Sequence, residues 1–360
     1  HGRDGLATIV TQLHGLELPA PAWERSVLPG RLHGYDPALL DELCLSGVVA
    51  WGRFSPPGEG ASAEAPMDGP AAAPGAAGVR TAGARRRAAP TRVAPLALAL
   101  RDELTPLLAA RGGSAPRLSS AAQAVAAFLA DEGASFLGDV ARATGLLPSA
   151  AEDALWELVA RGVVTGDGFA GLRSLLAPDE KPRPERRLRA LRGGRAPRRS
   201  LPIGRWSLLR RRAPASDPDA LVEQAARALL RRYGVVLREL LARESLAPPW
   251  RSLLTVFRRL EARGEIRGGR FVAGLIGEQF ALPEAVEALR ATRRADDGDQ
   301  VVVLAAADPL NLVGILTPGA RLSPLSGQVI AFERGVPVES GDLGTVRSRL
   351  RGRALTLVGR

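Results

Sequence analysis

At 360 residues the chain is long enough for two or three domains, each of the usual ~100–150 residues with its own core, so a single globule is excluded. Its 49 cations outnumber 38 anions for a net charge of +11, nearly every cation is arginine, and such an excess favours a polyanion, whose phosphates guanidinium groups pair bidentately. No run of ~18 apolar residues escapes a charge or a proline, which argues against a membrane-spanning helix, and one cysteine with three histidines cannot form a disulfide or a Cys/His metal cluster.

A GC-rich genome would explain the choice of arginine over lysine, but not the surplus of cations over anions. The chain opens on His1-Gly2-Arg3-Asp4 with neither an initiator methionine nor an apolar leader, which reads as a fragment.

In chain order, residues 1–55 read as a partial winged helix. Asp36-Pro37 caps a helix that runs through Ser46, Gly47 stops it, and Val48–Trp51 is β-prone; the helices that should come earlier read as missing. Residues 56–92 read as a flexible Pro/Gly/Ala linker ending in Arg85-Arg86-Arg87. Residues 93–177 read as a winged-helix domain with helices over Ser119–Glu132, Phe136–Thr144 and Ser149–Arg161. A basic Pro/Gly/Arg-rich loop follows over 178–215. Residues 216–295 repeat the winged helix, with helices over Asp217–Tyr233, Val235–Arg243 and Pro249–Arg263, then one more over Pro283–Arg290. The last segment, 296–360, holds five short β-prone runs, Gln300–Ala306, Leu312–Thr317, Gln328–Glu333, Val336–Glu339 and Ala354–Val358, which predict a small β-barrel.

A repeat underlies the three modules. Leu43 to Gly47, Leu158 to Gly162 and Leu260 to Gly264 each end a helix on glycine, and a phenylalanine stands seven residues on, at Phe54, Phe169 and Phe271. In the second and third copies a turn at Gly166-Asp167-Gly168 or Gly268-Gly269-Arg270 predicts a return strand starting at Phe169 or Phe271. The fold class expected is therefore mainly α with β, tandem winged-helix domains followed by a small barrel.

The last helix of a helix-turn-helix enters the major groove. In the third module that helix and its wing carry Arg251, Arg258, Arg259, Arg263, Arg267 and Arg270, the candidate DNA contacts, with Trp250 and Trp206 as candidate stacking platforms. The equivalent helix of the second module carries Glu152, Asp153 and Glu157, and reads as architectural. Both tryptophans, and Cys44 on an apolar helix face, read equally well as core.

The runs Tyr35-Asp-Pro, Leu40-Asp-Glu-Leu-Cys44, Gly204-Arg-Trp-Ser-Leu208, Arg232-Tyr-Gly-Val-Val236, Pro249-Trp-Arg-Ser-Leu253, Arg259 through Ala273, Gly277-Glu-Gln-Phe-Ala-Leu282 and Ala307-Asp-Pro-Leu-Asn-Leu312 together resemble the C-terminal region of the large helicase-related proteins, Lhr. The resemblance implies an ATP-dependent superfamily-two 3′-to-5′ DNA helicase acting in repair, in the bacterial cytoplasm at the nucleoid. It also implies a likeness to AlkZ-type winged-helix glycosylases and self-association, with a tetramer expected. ATP and Mg would serve motor domains outside this chain, because Lys181 is the single lysine and stands in no phosphate-binding loop. No cofactor or metal is expected here; the expected partners are single-stranded or forked DNA, the helicase core of the same polypeptide and further copies of the chain, with no membrane.

A glycosylase needs a carboxylate or amide to orient water and to stabilise the charge that develops on the sugar as the flipped base leaves. Asp308 with Asn311, at the end of the apolar run 301–306, is the leading candidate; an ordinary Asp-Pro turn is the competing reading. AlkZ-type enzymes carry a Gln-x-Gln or Gln-x-Asp pair, and Ala306 stands where the glutamine would be. Glu278 and Gln279 are a weaker pair, which read otherwise as closing the third wing. Three functions are thus expected to compete: a DNA-binding accessory region, a base-excision enzyme on uracil or oxoguanine, and an oligomerisation scaffold.

Overall fold

The computed structural model describes residues 2–55, 95–109, 116–176, 204–209, 217–294 and 300–358. The linker over 56–92 with Arg85–Arg87, and most of the basic loop with Lys181, lie outside the described residues.

The first module has helical segments ahead of its last helix. Helix α1 (Gly2–Gln12), strand β1 (Leu18–Pro19), α2 (Ala20–Ala22) with a π-turn at Trp23–Val27, α3 (Pro37–Leu45), β2 (Val49–Gly52) and β3 (Pro95–Leu100) follow in order. The earlier helices, read from the sequence as missing, are thus residues 2–27. Their apolar residues are spaced for a buried face, Leu6, Ile9, Val10 and Leu13, but carry no strong start signal. Asp36 starts α3 by accepting from the Ala38 amide at 2.8 Å, and Trp23 ties in β3 by donating its indole N–H to the Leu96 carbonyl at 2.9 Å.

After a 3₁₀ turn at Arg101–Glu103 and α4 (Leu104–Ala109), the second module comprises α5 (Ser120–Asp131), β4 (Ser135–Phe136), α6 (Leu137–Thr144), α7 (Pro148–Ala160), β5 (Val164–Gly166), α8 (Ala170–Leu176) and β6 (Arg205–Leu208). The third comprises α9 (Pro218–Tyr233), β7 (Val235–Val236), a 3₁₀ turn at Arg238–Arg243, α10 (Trp250–Ala262), β8 (Arg267–Gly269) and β9 (Gln279–Ala281). The glycines that stop the third helix of each copy, Gly47, Gly162 and Gly264, all take left-handed φ of 77°, 66° and 76°.

Every module has the same three-stranded sheet, with the last strand in the middle: β1-β3-β2, β4-β6-β5 and β7-β9-β8. The return strands therefore differ from expectation. Phe169 opens helix α8, not a strand, and the partner of β5 is Arg205–Leu208, inside the segment read as a loop. The strand after Phe271 begins only at Gln279. A short hairpin was the nearest solution in sequence, but a central strand must pair on both edges, and β6 and β9 do so.

The first two modules share one core. Trp51 of β2 stacks edge-on against Phe169, its indole N–H reaches the Gly168 carbonyl at 3.2 Å, and the Thr165 hydroxyl donates to the Trp51 carbonyl at 2.6 Å. Glu157, one of the acids that gave α7 its unfavourable charge for DNA, accepts from Ser119 N at 2.9 Å and Ser119 Oγ at 2.7 Å, clamping the start of α5. The third module has its own core around Leu253, Phe257, Leu260 and Phe280.

After α11 (Pro283–Arg294), strands β10 (Val301–Ala305), β11 (Val329–Glu333), β12 (Val336–Gly341) and β13 (Leu355–Leu357) form one sheet in the order β12-β11-β10-β13, with α12 (Leu343–Arg349) packed against it. Among the described residues this sheet is open, and the expected closed barrel is not seen. The run Leu312–Thr317 adds no strand; it folds back on itself through bonds from Ile315, Leu316 and Thr317 amides to the Leu312 carbonyl.

His14 gives this packing a pH signature. It is buried with its Nδ1 accepting from the Leu100 amide at 3.2 Å, and burial pulls its pKa from 6.5 down to about 4 against the opposing pull of Glu103. Below pH 6.5 the unfolded chain binds a proton that the folded chain refuses, so stability falls as pH drops and levels off near 4. Urea midpoints should show a loss of about 2 kcal/mol from this group between neutral pH and pH 5, absent in His14→Gln.

Candidate nucleic-acid interface

Helix α10 buries Leu253, Val256, Phe257 and Leu260 on one face and turns its arginines outward on the other. The six candidate arginines fall into two classes. Arg258 is paired with Glu278 at 2.8 Å, Arg259 with Glu223 at 2.9 Å, and Arg263 with Glu223 at 3.4 Å and Glu265 at 3.7 Å. Arg251, Arg267 and Arg270 are exposed, and their side chains meet no partner among the described residues. Glu223, on α9, holds three arginines at once with Arg227 at 2.9 Å, and their hydrogen bonds and charges lower its pKa. The sequence showed the cations but not this carboxylate, which sits a module-width away along the chain.

The wing is held by Gln279. Its buried side chain accepts from the Phe271 and Val272 amides, both at 2.8 Å, and donates to the Val272 carbonyl at 3.0 Å, satisfying backbone groups that the irregular wing leaves unpaired. Trp250 is half-buried against Phe257 at 5.9 Å. Trp206 is fully enclosed, edge-on to Trp156 at 5.2 Å, and as placed has no face for a base. Cys44 is buried in the first core, where burial pushes its thiol up to about 12.

Asp308 lies elsewhere, at a junction of three units. It is 1% exposed; Arg31, from the first module, bonds both its carboxylate oxygens at 2.8 and 3.0 Å, and the Leu310 amide adds a third bond at 2.8 Å. Asn311 donates to the Ala306 carbonyl at 3.0 Å and accepts from the Val313 amide at 3.3 Å. Arg243, from the third module, donates to the Asn311 carbonyl at 2.7 Å and the Asp308 carbonyl at 2.8 Å, and its burial lowers its pKa. The two candidates Asp308 and Asn311 are thus together, whereas Glu278 and Gln279 stand apart on the wing. Nothing in the sequence marked Arg31 as Asp308's partner, because the two are remote along the chain.

On the other side of the same loop, Val272 and Leu275 of the wing, Leu310, Leu316 and Phe332 line a groove of about 1020 Å³ between the third module and the terminal sheet. Among the described residues no group of three or more His, Cys, Asp or Glu is placed to hold a metal, and no helix is long and apolar enough to cross a membrane.

Residues 1–67 match the third, and residues 215–301 the fourth, winged-helix domain described for the large helicase-related protein. The chain carries winged-helix domains of the Lhr family. It is 32% identical over 338 residues, 88% of its length, to the Lhr helicase/uracil glycosylase of Escherichia coli K12. Over 332 residues it is also 32% identical to the Lhr helicase/probable uracil glycosylase of Mycolicibacterium smegmatis. The chain spans 20% of the length of each of these relatives. The Streptomyces sahachiroi DNA glycosylase AlkZ aligns over 98% of this chain and 99% of its own at 14% identity and a TM-score of 0.47. In Lhr terms, the helix bearing the arginines belongs to the fourth winged helix, and the match to the third ends before β3, the strand that completes that module's sheet.

Proposed function

We propose that this Lhr region binds DNA through the third module of the chain and serves as a DNA-guiding part of a repair helicase. The observation that carries this reading is the set Arg251, Arg267 and Arg270, three exposed arginines on one recognition helix and its wing that form no ion pair among the described residues. The paired arginines Arg258, Arg259 and Arg263 hold that surface in shape and can exchange carboxylate for phosphate. The second module, whose α7 spends Glu157 on clamping α5, acts as a spacer.

Fluorescence anisotropy with forked and single-stranded oligonucleotides over a salt series tests this. The triple variant Arg251→Glu/Arg267→Glu/Arg270→Glu should lower the salt slope by about 2–3 and weaken binding ~100-fold or more. Arg142→Glu on the second module should change binding less than about twofold. Affinity that stays flat with salt in the unaltered chain would sink the reading.

A second reading, base excision, is favoured by the name of the E. coli relative, which includes uracil glycosylase. For Asp308 to act on a sugar it would have to leave Arg31, so DNA binding would need to open that junction. Alkali cleavage of uracil- and oxoguanine-containing strands separates the two readings. Breaks that disappear in a folded Asp308→Asn variant support excision, and binding without breaks leaves the guiding role alone.

A further inference from the structure

The third wing ends in a feature that DNA guidance alone does not require. Ile276 is 92% exposed, the most exposed large apolar side chain among the described residues, and it stands between Gly274 and Gly277, both at left-handed φ of 80° and 105° with open space around them. The Ile276 side chain is therefore open to solvent while its neighbour Leu275 lines the groove. Arg267 and Arg270, which form no ion pair among the described residues, stand at the base of the same wing, where Glu261 accepts from the Gly268 amide at 3.0 Å.

Beside the tip lies the groove described above. Among the described residues no acid lines the groove, and Arg334 is the one charged residue that does. Its walls combine flat apolar surface, Leu275, Leu310 and Phe332, with polar groups that have spare capacity. The Thr317 hydroxyl is buried without a hydrogen-bond partner, and Gln300 uses its amide N–H on Thr356 at 2.7 Å, leaving its carbonyl oxygen to accept. An apolar face, donors and acceptors for a base edge, and the Arg334 guanidinium together suit an unpaired nucleotide.

We propose that Ile276 is a wedge that enters the base stack and that the groove takes the nucleotide it displaces. Apolar wedges inserted between base steps unstack them, and a base so released stacks on aromatic and apolar walls. This inference rests on the DNA-binding reading and goes beyond it, because binding to the backbone needs neither the wedge nor the groove.

The test uses the full chain and a forked duplex with 2-aminopurine at successive positions near the junction, an adenine analogue whose emission rises when it unstacks. The unaltered chain should raise emission about fivefold or more at one or two positions. Ile276→Ala should abolish the rise while Kd changes by less than about twofold, since the residue is exposed and the arginines remain. Thr317→Val, which keeps the shape, should reduce the rise with the same affinity. Salt-dependent binding with no rise in emission, or a rise unchanged in Ile276→Ala, overturns the wedge and leaves DNA binding standing. Loss of all DNA binding in the unaltered chain instead overturns the reading beneath it. A change of subunit number in Ile276→Asp with emission unaffected would assign the tip to protein contact and also overturn the proposal.

Discussion

Asp308→Ala should cost about 3–5 kcal/mol of stability, because it strands a guanidinium in a place with almost no water. Arg31 is 13% exposed and Asp308 2% at the side chain, and among the described residues the one further bond of the Arg31 guanidinium is to the Val27 carbonyl, at 3.2 Å. The loss of the Leu310 amide's acceptor adds to the effect. The midpoint of urea denaturation measures it. Removing both charges together, as Arg31→Met/Asp308→Leu, should return most of the stability, since a buried ion pair gains little over well-packed apolar groups. A single-variant loss below about 1 kcal/mol, the range of exposed pairs, would show that the junction is solvated and does not organise the units around it.

An effect of similar size is expected for Arg232→Ala. Arg232 and Glu244 are 4% and 6% exposed, Arg232 also donates to the His14 carbonyl, and Tyr233 donates to Glu244 at 2.7 Å. Glu244 would be left buried without its cation and His14 without its donor, a loss of about 3–5 kcal/mol. Burial and the neighbouring Glu244 push the Tyr233 hydroxyl well above its usual range, so it remains a donor throughout the working pH range. Arg232 joins the third module to the first, and Arg31 joins the first to the terminal sheet. If the two junctions open in one cooperative step, the double variant Arg232→Ala/Asp308→Ala should lose less than the sum of the singles, measured by a double-mutant cycle.

Much of the architecture could be read from the chain, and the parts that could not have a common cause. Helix stops at Gly47, Gly162 and Gly264 are local, fixed by the left-handed backbone that glycine accepts, and they were legible. So were the Asp-Pro caps at Asp36 and Asp217, and the start of a helix at Ser119. What was misread is non-local. The return strand of the second module is expected at Phe169 because the turn Gly166-Asp167-Gly168 points into it, whereas the sheet closes with Trp206, across a long stretch of sequence. The strand expected over Leu312–Thr317 is absent for a similar reason: the run has strand-like composition, but Asn311 bonds the Ala306 carbonyl and Val313 amide and holds it in a turn. At the candidate interface the arginines were visible as a cluster, while the carboxylates that divide them into paired and free classes, Glu223 on another helix and Glu278 across the wing, depend on packing.

The recurring sheet, with its final strand in the centre, also bears on how the chain is born. Antiparallel closure grows costlier only slowly with the length enclosed, about 0.6 kcal/mol per doubling, so the gap between the second and third strands of each unit is a tolerant place for extra sequence. The finished protein is barely penalised, but its synthesis is delayed. At ~5–20 residues per second, Val49 and Trp51 leave the ribosome a few seconds before Leu98 arrives to cover them. Over that interval the nascent first unit presents an apolar strand whose pairing edge has no partner yet.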